Sequence, residues 1–228
     1  MKMEFKKLKE KEILDFCTQL CQPANFENKI ILFFRKSLPS PFPHLLGFEG
    51  LTSFEIYGEK VTLASADSSY LLRILKNNIS GELQAHLLHV QKEKYQYVFI
   101  CLDGQDKNYL TDAHGRVNLG KVDLDLSRIK VSLCPPSAIF DLTKTTSQAL
   151  PRFVSDKLNG SKLEAEFFPR ESGQTLKIQL TNREKDIDIK RITLIVDESE
   201  ILIAVPQKGL AILELPENFE NLQINLYE

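Results

Sequence analysis

Four histidines, four cysteines and a scatter of aspartates are the residues of this chain that could do chemistry. His86 and His89 stand three apart, which on a helix would put two imidazoles on one face, ready for a metal. Leu83, Ala85 and Leu87 alternate around them, however, and in a strand the two rings point to opposite faces. Cys17 and Cys21 stand four apart on a predicted helix and could meet a metal or each other. No Cys-x-x-Cys and no clustered histidine supports ligation there. Cys101 and Cys134 fall in apolar strand patterns, where a thiol behaves as a small hydrophobe, so reduced structural thiols are expected. Asp103, Asp106, Asp112, Asp123 and Asp125 offer the oxygen ligands that calcium requires. Aspartates also form turns and solubilise strand edges, and Glu198, Glu200, Glu214 and Glu217 in the second half of the chain do not repeat their positions. There is no Gly-x-Ser-x-Gly, no phosphate loop and no His-Glu-x-x-His. The expectation is no catalytic residue, no metal and no cofactor, and a binding protein before an enzyme.

The elements that must position these residues come from a chain of ordinary globular composition. At 228 residues it is long enough for two domains of about 100 residues. Its 43% hydrophobic content suffices for a core, and a net charge of −2 supplies no electrostatic argument for nucleic acid as the main partner. The charged start, Met1 to Lys9, lacks the apolar run of a secretory signal, and no stretch has the length of a membrane span. A cytoplasmic location is expected.

Residues 1–22 are expected to hold an amphipathic helix whose stripe of Phe5, Leu8, Ile13, Phe16 and Leu20 recurs at three- and four-residue intervals. That stripe packs on the following domain or docks on a partner protein, and it is the candidate partner-binding set. Lys29 to Phe34 is a short apolar run that suits a buried strand. Pro39, Pro41 and Pro43 make a rigid connector. Phe54 to Tyr57 and Val61 to Ala64 read as two strands meeting near Gly58. Asp67 or Ser68 could cap a helix through Leu75, and Arg152 to Leu158 reads as a short helix ended by Asn159-Gly160.

From Leu83 onward the pattern is strand and turn. The frame Tyr97 to Asp103 is followed twelve residues later by Gly115, and Arg191 to Asp197 is followed at the same interval by Gly209. Each copy then closes with an alternating strand, Ile129 to Leu133 or Leu222 to Leu226. Turn residues between short, regularly spaced strands are the pattern of antiparallel β-sandwiches. The expected fold is therefore mainly β, α+β overall: two tandem antiparallel β-sandwich-like units behind an N-terminal helix. The predicted divisions are a helix at 1–22, a first β unit with a helical insertion at 23–142, a linker at 143–150 and a second β unit at 151–228. Around Ser147 to Arg152 the polar linker is a candidate for proteolysis.

The stretch Tyr109-Leu110-Thr111-Asp112-Ala113-His114-Gly115-Arg116-Val117 resembles the signature of carboxypeptidase-regulatory-like or transthyretin-like β-sandwich domains. The resemblance covers residues 80 to 142, and the second copy, Val205 to Gly209, lacks the Thr-Asp pair. The two-unit layout resembles uncharacterised bacterial regulatory proteins that accompany sigma factors, anti-sigma proteins and caspase-like proteases, although the zinc-binding anti-sigma motif is absent. What these resemblances imply is a non-enzymatic adaptor or regulator that binds another protein, a transcription or stress-response factor. A small-ligand- or carbohydrate-binding β-sandwich, or a carboxylate-based hydrolase, is the alternative.

Overall fold

The computed structural model describes residues 24–34, 57–105, 107–122, 125, 128–143, 152–158, 161–170, 173–182, 189–216 and 218–228. The expected N-terminal helix with its stripe of Phe5, Leu8, Ile13, Phe16 and Leu20, the proline connector, and the linker beyond Thr143 lie outside these residues. Among the described residues the fold is mainly β and antiparallel, with no α-helix. No helix among them is long and apolar enough to cross a membrane. Contacts divide the chain into two compact units, one of residues 27–135 and one of 136–228 together with 24–26.

The first unit contains β1 (Ile30–Phe34), β2 (Tyr57–Ser65), β3 (Leu71–Asn77), β4 (Leu83–Leu88), β5 (Phe99–Leu102), β6 (Asn108–Leu110), β7 (Arg116–Gly120) and β8 (Val131–Cys134). They form one eight-stranded sheet in the order β6-β5-β8-β1-β2-β3-β4-β7. Its core takes alternate residues from each strand, including Leu32, Leu63, Leu72, Ile74, Ala85, Leu87, Ile100 and Leu133. Burying one such aliphatic side chain contributes about 2 kcal/mol before chain entropy is subtracted.

The second unit contains β9 (Ala138–Thr143), β10 (Arg152–Leu158), β11 (Ser161–Arg170), β12 (Gly173–Asn182), β13 (Arg191–Val196), β14 (Glu200–Ala204), β15 (Leu210–Leu215) and β16 (Asn221–Tyr227). Two four-stranded sheets result, β14-β13-β16-β9 and β10-β11-β12-β15. Leu163, Leu176, Ile178 and Leu213 from one and Phe140, Ile192, Leu194 and Ile224 from the other share a single core. Counting eight strands on from each strand of the first sheet reproduces both of these orders. The difference lies at the join, where β1 pairs with β2 through Leu32 opposite Ser65. The strand at 138–143, which the sequence reading leaves in the first unit, pairs with β16 in the second.

Three local expectations are corrected. Residues 71–77 form a strand, not a helix: Leu72 and Ile74 are fully buried and alternate with half-buried Leu71, Arg73 and Leu75, a period of two imposed by ladders on both sides. Asp67, expected as a helix cap, instead accepts hydrogen bonds from the Ser65 hydroxyl and from the Ser69 amide and hydroxyl, which pull its carboxyl down to about 2. Residues 152–158 are likewise a strand, paired with β11 from Arg152 opposite Glu166. The Asn159-Gly160 pair that suggests a helix end is also the dipeptide most favoured in two-residue hairpins. Finally, Gly58 does not separate two strands. It lies within β2, whose register slips by a bulge between Glu59 and Val61.

The recurring glycines sit where backbone crosses backbone. Gly115 has φ +73 and its carbonyl accepts the Leu87 amide at 2.7 Å; Gly209 has φ +75 and its carbonyl accepts the Leu180 amide at 2.7 Å. Asp103 and Asp197 also match, each donating its amide to the closing segment, to Lys130 O and Asn221 O, both at 3.0 Å. Their turns differ. At the Asp103 turn Gly104 has positive φ, whereas at the Asp197 turn Asp197 and Glu198 adopt φ +48 and +59 without glycine.

Candidate functional site

The run Ile30-Ile31-Leu32-Phe33-Phe34 has no polar residue on either face, so it reads as a strand buried on both. In the structure only Leu32 is buried: Ile31 is 59%, Phe33 56% and Phe34 46% exposed. Since β8 and β2 flank β1 on its two sides, this exposure is not that of a sheet edge. Register continues the apolar row across the sheet, with Phe33 opposite buried Ala64, Ala64 opposite half-buried Leu71, and Leu71 opposite Leu88. The next row on the same face is basic. Arg73 lies opposite His86, and His86 opposite Arg116. Arg73 is ion-paired with Glu59 across the β2 bulge.

Burial, reinforced by the positive charges of Arg116 and Arg73, lowers the pKa of His86 below the ordinary imidazole value, with Asp112 opposing. A depressed histidine pKa contributes stability that is complete above the unfolded value of about 6.5 and is lost as pH falls through the folded value. Thermal stability of the wild-type chain will therefore decline from about pH 7.5 to about pH 5 by more than that of His86→Gln, read by melting curves across that range.

On the other side of Ile31 the same face carries sulfur. Ile31 is opposite Ser132 and Ser132 opposite Cys101, while Cys134, two residues further along β8, is opposite Phe99. This diagonal brings the Cys101 and Cys134 Sγ atoms to 3.7 Å. Cys101 is half-buried and Cys134 buried at 1% exposure. The contact with the Cys134 thiol, the charge of Lys29 and a hydrogen bond with Ser132 together hold the Cys101 thiol below its usual range, outweighing burial. The same contact and burial push the Cys134 thiol up. The geometry thus sets a half-buried thiol against a buried one.

The remaining candidates do not converge. His86 and His89 are separated, the latter accepting the Gln91 amide on Nδ1 and lying 4.7 Å from the Tyr70 ring. Asp112 Oδ1 accepts the amides of His114 and Arg116, and Asp125 lies 4.0 Å from Arg128. Asp106 and Asp123 are outside the described residues. Among the described residues no group of three or more His, Cys, Asp and Glu is placed to hold a metal ion. An open depression of about 800 Å³ is lined by Asp197, Glu198, Asn218, Phe219, Glu220 and Asn221. Its central carboxylate is already engaged, since Asp197 Oδ1 accepts the Glu220 and Asn221 amides at 2.9 and 2.8 Å.

The sequence reading missed the sulfur pair because the two cysteines stand 33 residues apart and meet only through the β5–β8 ladder. It treated the β1 run as buried because composition does not say which face a neighbour will cover. No protein-family model, no curated protein and no solved structure matches the chain.

Proposed function

We propose that this chain is a non-enzymatic, protein-binding regulatory adaptor built from two β-sandwich-like modules of common origin, and that it docks its partner on the outward face around β1. The matching strand orders of the two units support the duplication. The carrying observation for function is the exposure of Ile31 and Phe33 in a strand that is paired on both sides. Exposed apolar side chains of this kind mark interaction sites. The Arg73–His86–Arg116 row lies beyond Leu71 and Leu88. The partner is therefore a protein segment with an apolar centre that covers Ile31 and Phe33. The resemblance to proteins that accompany sigma factors makes a transcription or stress-response factor the first partner to try.

The test replaces Phe33 by photoreactive p-benzoylphenylalanine in native cells, with the equally exposed Ile212 of β15 as the control position. A discrete adduct to one other protein at position 33, absent at position 212 and reduced severalfold by Ile31→Asp, supports the proposal. Adducts only to the chain itself, or the same adducts at both positions, overturn it.

A further inference from the structure

The two sulfurs are in van der Waals contact on adjacent strands and need to close by about 1.7 Å to reach the ~2.05 Å of an S–S bond. We infer that Cys101 and Cys134 form a reactive dithiol site that exchanges with low-molecular-weight disulfides and closes reversibly to an intrachain disulfide. The inference stands apart from the docking proposal and uses none of its partners. Three observations carry it: the 3.7 Å separation, the partial exposure of Cys101, and the burial of Cys134. The inward set of β5 and β8 is Ile100, Leu102, Val131 and Leu133, and both cysteines lie on the opposite face.

The chemistry is thiol–disulfide exchange, and its balance is closed. The Cys101 thiolate attacks one sulfur of a disulfide RSSR; the S–S bond breaks, and RS⁻ leaves and takes a proton. Cys134 then loses its proton and attacks the Cys101 sulfur of the mixed disulfide, expelling the second RS⁻. Net, two protein thiols and one RSSR give one protein disulfide and two RSH, so the small disulfide is the oxidant. Division of labour follows from position. Cys101 meets the reagent because it is the more exposed of the two residues, and Cys134 resolves because its Sγ lies 3.7 Å from that of Cys101. Lys29 and Ser132 favour the attacking thiolate, in line with the lowered pKa of Cys101.

The test uses the full chain with Cys17→Ser and Cys21→Ser, so that the two remaining thiols report alone. It is equilibrated in oxidised and reduced glutathione at increasing oxidised fraction, acid-quenched, alkylated and weighed intact. The expected product lacks two hydrogens, carries no glutathione and takes up no alkylating agent. Adding Cys134→Ser stops the reaction at one glutathione on Cys101, and adding Cys101→Ser slows the reaction by about tenfold or more. The rate for Cys101 rises with pH and levels off below the pH at which a free cysteine does. A stable glutathione adduct in the protein that retains both thiols overturns the inference, as does full alkylation of both thiols at ratios where Cys134→Ser takes up glutathione. Neither of those readings depends on a variant of Cys101 folding.

Discussion

Gly209→Ala will destabilise the second unit by roughly 3–5 kcal/mol, and Gly115→Ala will do the same to the first. Two effects add. Each glycine has a left-handed φ, +73 or +75, where a side chain costs about 1 kcal/mol. A Cβ on Gly209 would also stand 2.5 Å from the Leu180 carbonyl oxygen, and one on Gly115 would fall inside contact distance of the Leu87 carbonyl oxygen and 3.0 Å from Tyr95 Cδ2. Relief requires moving the backbone of β12 or β4, the strand whose amide the glycine carbonyl accepts. Gly104 and Gly120 isolate the first effect, for they share a positive φ with nothing within 4 Å of a Cβ. Their alanine variants will lose about 1 kcal/mol. Urea denaturation measures the four values, and hydrogen exchange locates them. Gly209→Ala must accelerate exchange in β12 and β15, and a loss no greater than that of Gly104→Ala would show that the carbonyl approach carries no energy.

Thr111→Val comes next in size, at about 2–4 kcal/mol, although the two side chains have nearly the same shape. Thr111 is fully buried; its hydroxyl donates to Tyr95 O at 2.9 Å and accepts the Val98 amide at 2.8 Å. Between those two residues Tyr97 holds φ +52, a conformation unfavourable for a non-glycine residue. The hydroxyl thus clamps both ends of a strained entry into β5, and valine leaves two backbone groups without this partner. Thr111→Ser keeps the clamp and loses a methyl, so it will lose only about 1 kcal/mol. Melting or urea curves decide it: equal losses for the serine and valine variants would mean that packing, not the hydrogen bonds, holds the corner.

Gly115 and Thr111 lie in one stretch, Tyr109 to Val117, whose residue types follow from geometry. Thr111 clamps, Asp112 collects the His114 and Arg116 amides, and Gly115 passes the Leu87 carbonyl. The second copy keeps the glycine with its crossing and does without the Thr-Asp pair, since Gln207 and Leu210 close its turn by exchanging backbone hydrogen bonds of 2.8 and 2.9 Å. What recurs in sequence is thus the part whose backbone conformation no other residue type fits.

By itself the sequence determined the mainly β character, the strands Leu83–Leu88, Phe99–Leu102, Ser161–Arg170 and Gly173–Asn182 in outline, and the turns at Asp103-Gly104 and Asp112 to Gly115, while the strand it begins at Tyr95 starts only at Phe99, after a turn in which Tyr97 has φ +52. Each of these rests on a constraint local to a few residues: alternation sets which side chains share a face, and a positive φ selects glycine. Only the tertiary structure decided that 71–77 and 152–158 are strands, because their helical reading is overruled by ladders with residues far along the chain. It also decided that the outer side of β1 stays exposed and that Cys101 meets Cys134. Those outcomes depend on which strand lies beside which, and strand order is chosen by packing and loop closure across the whole unit rather than by any window of residues.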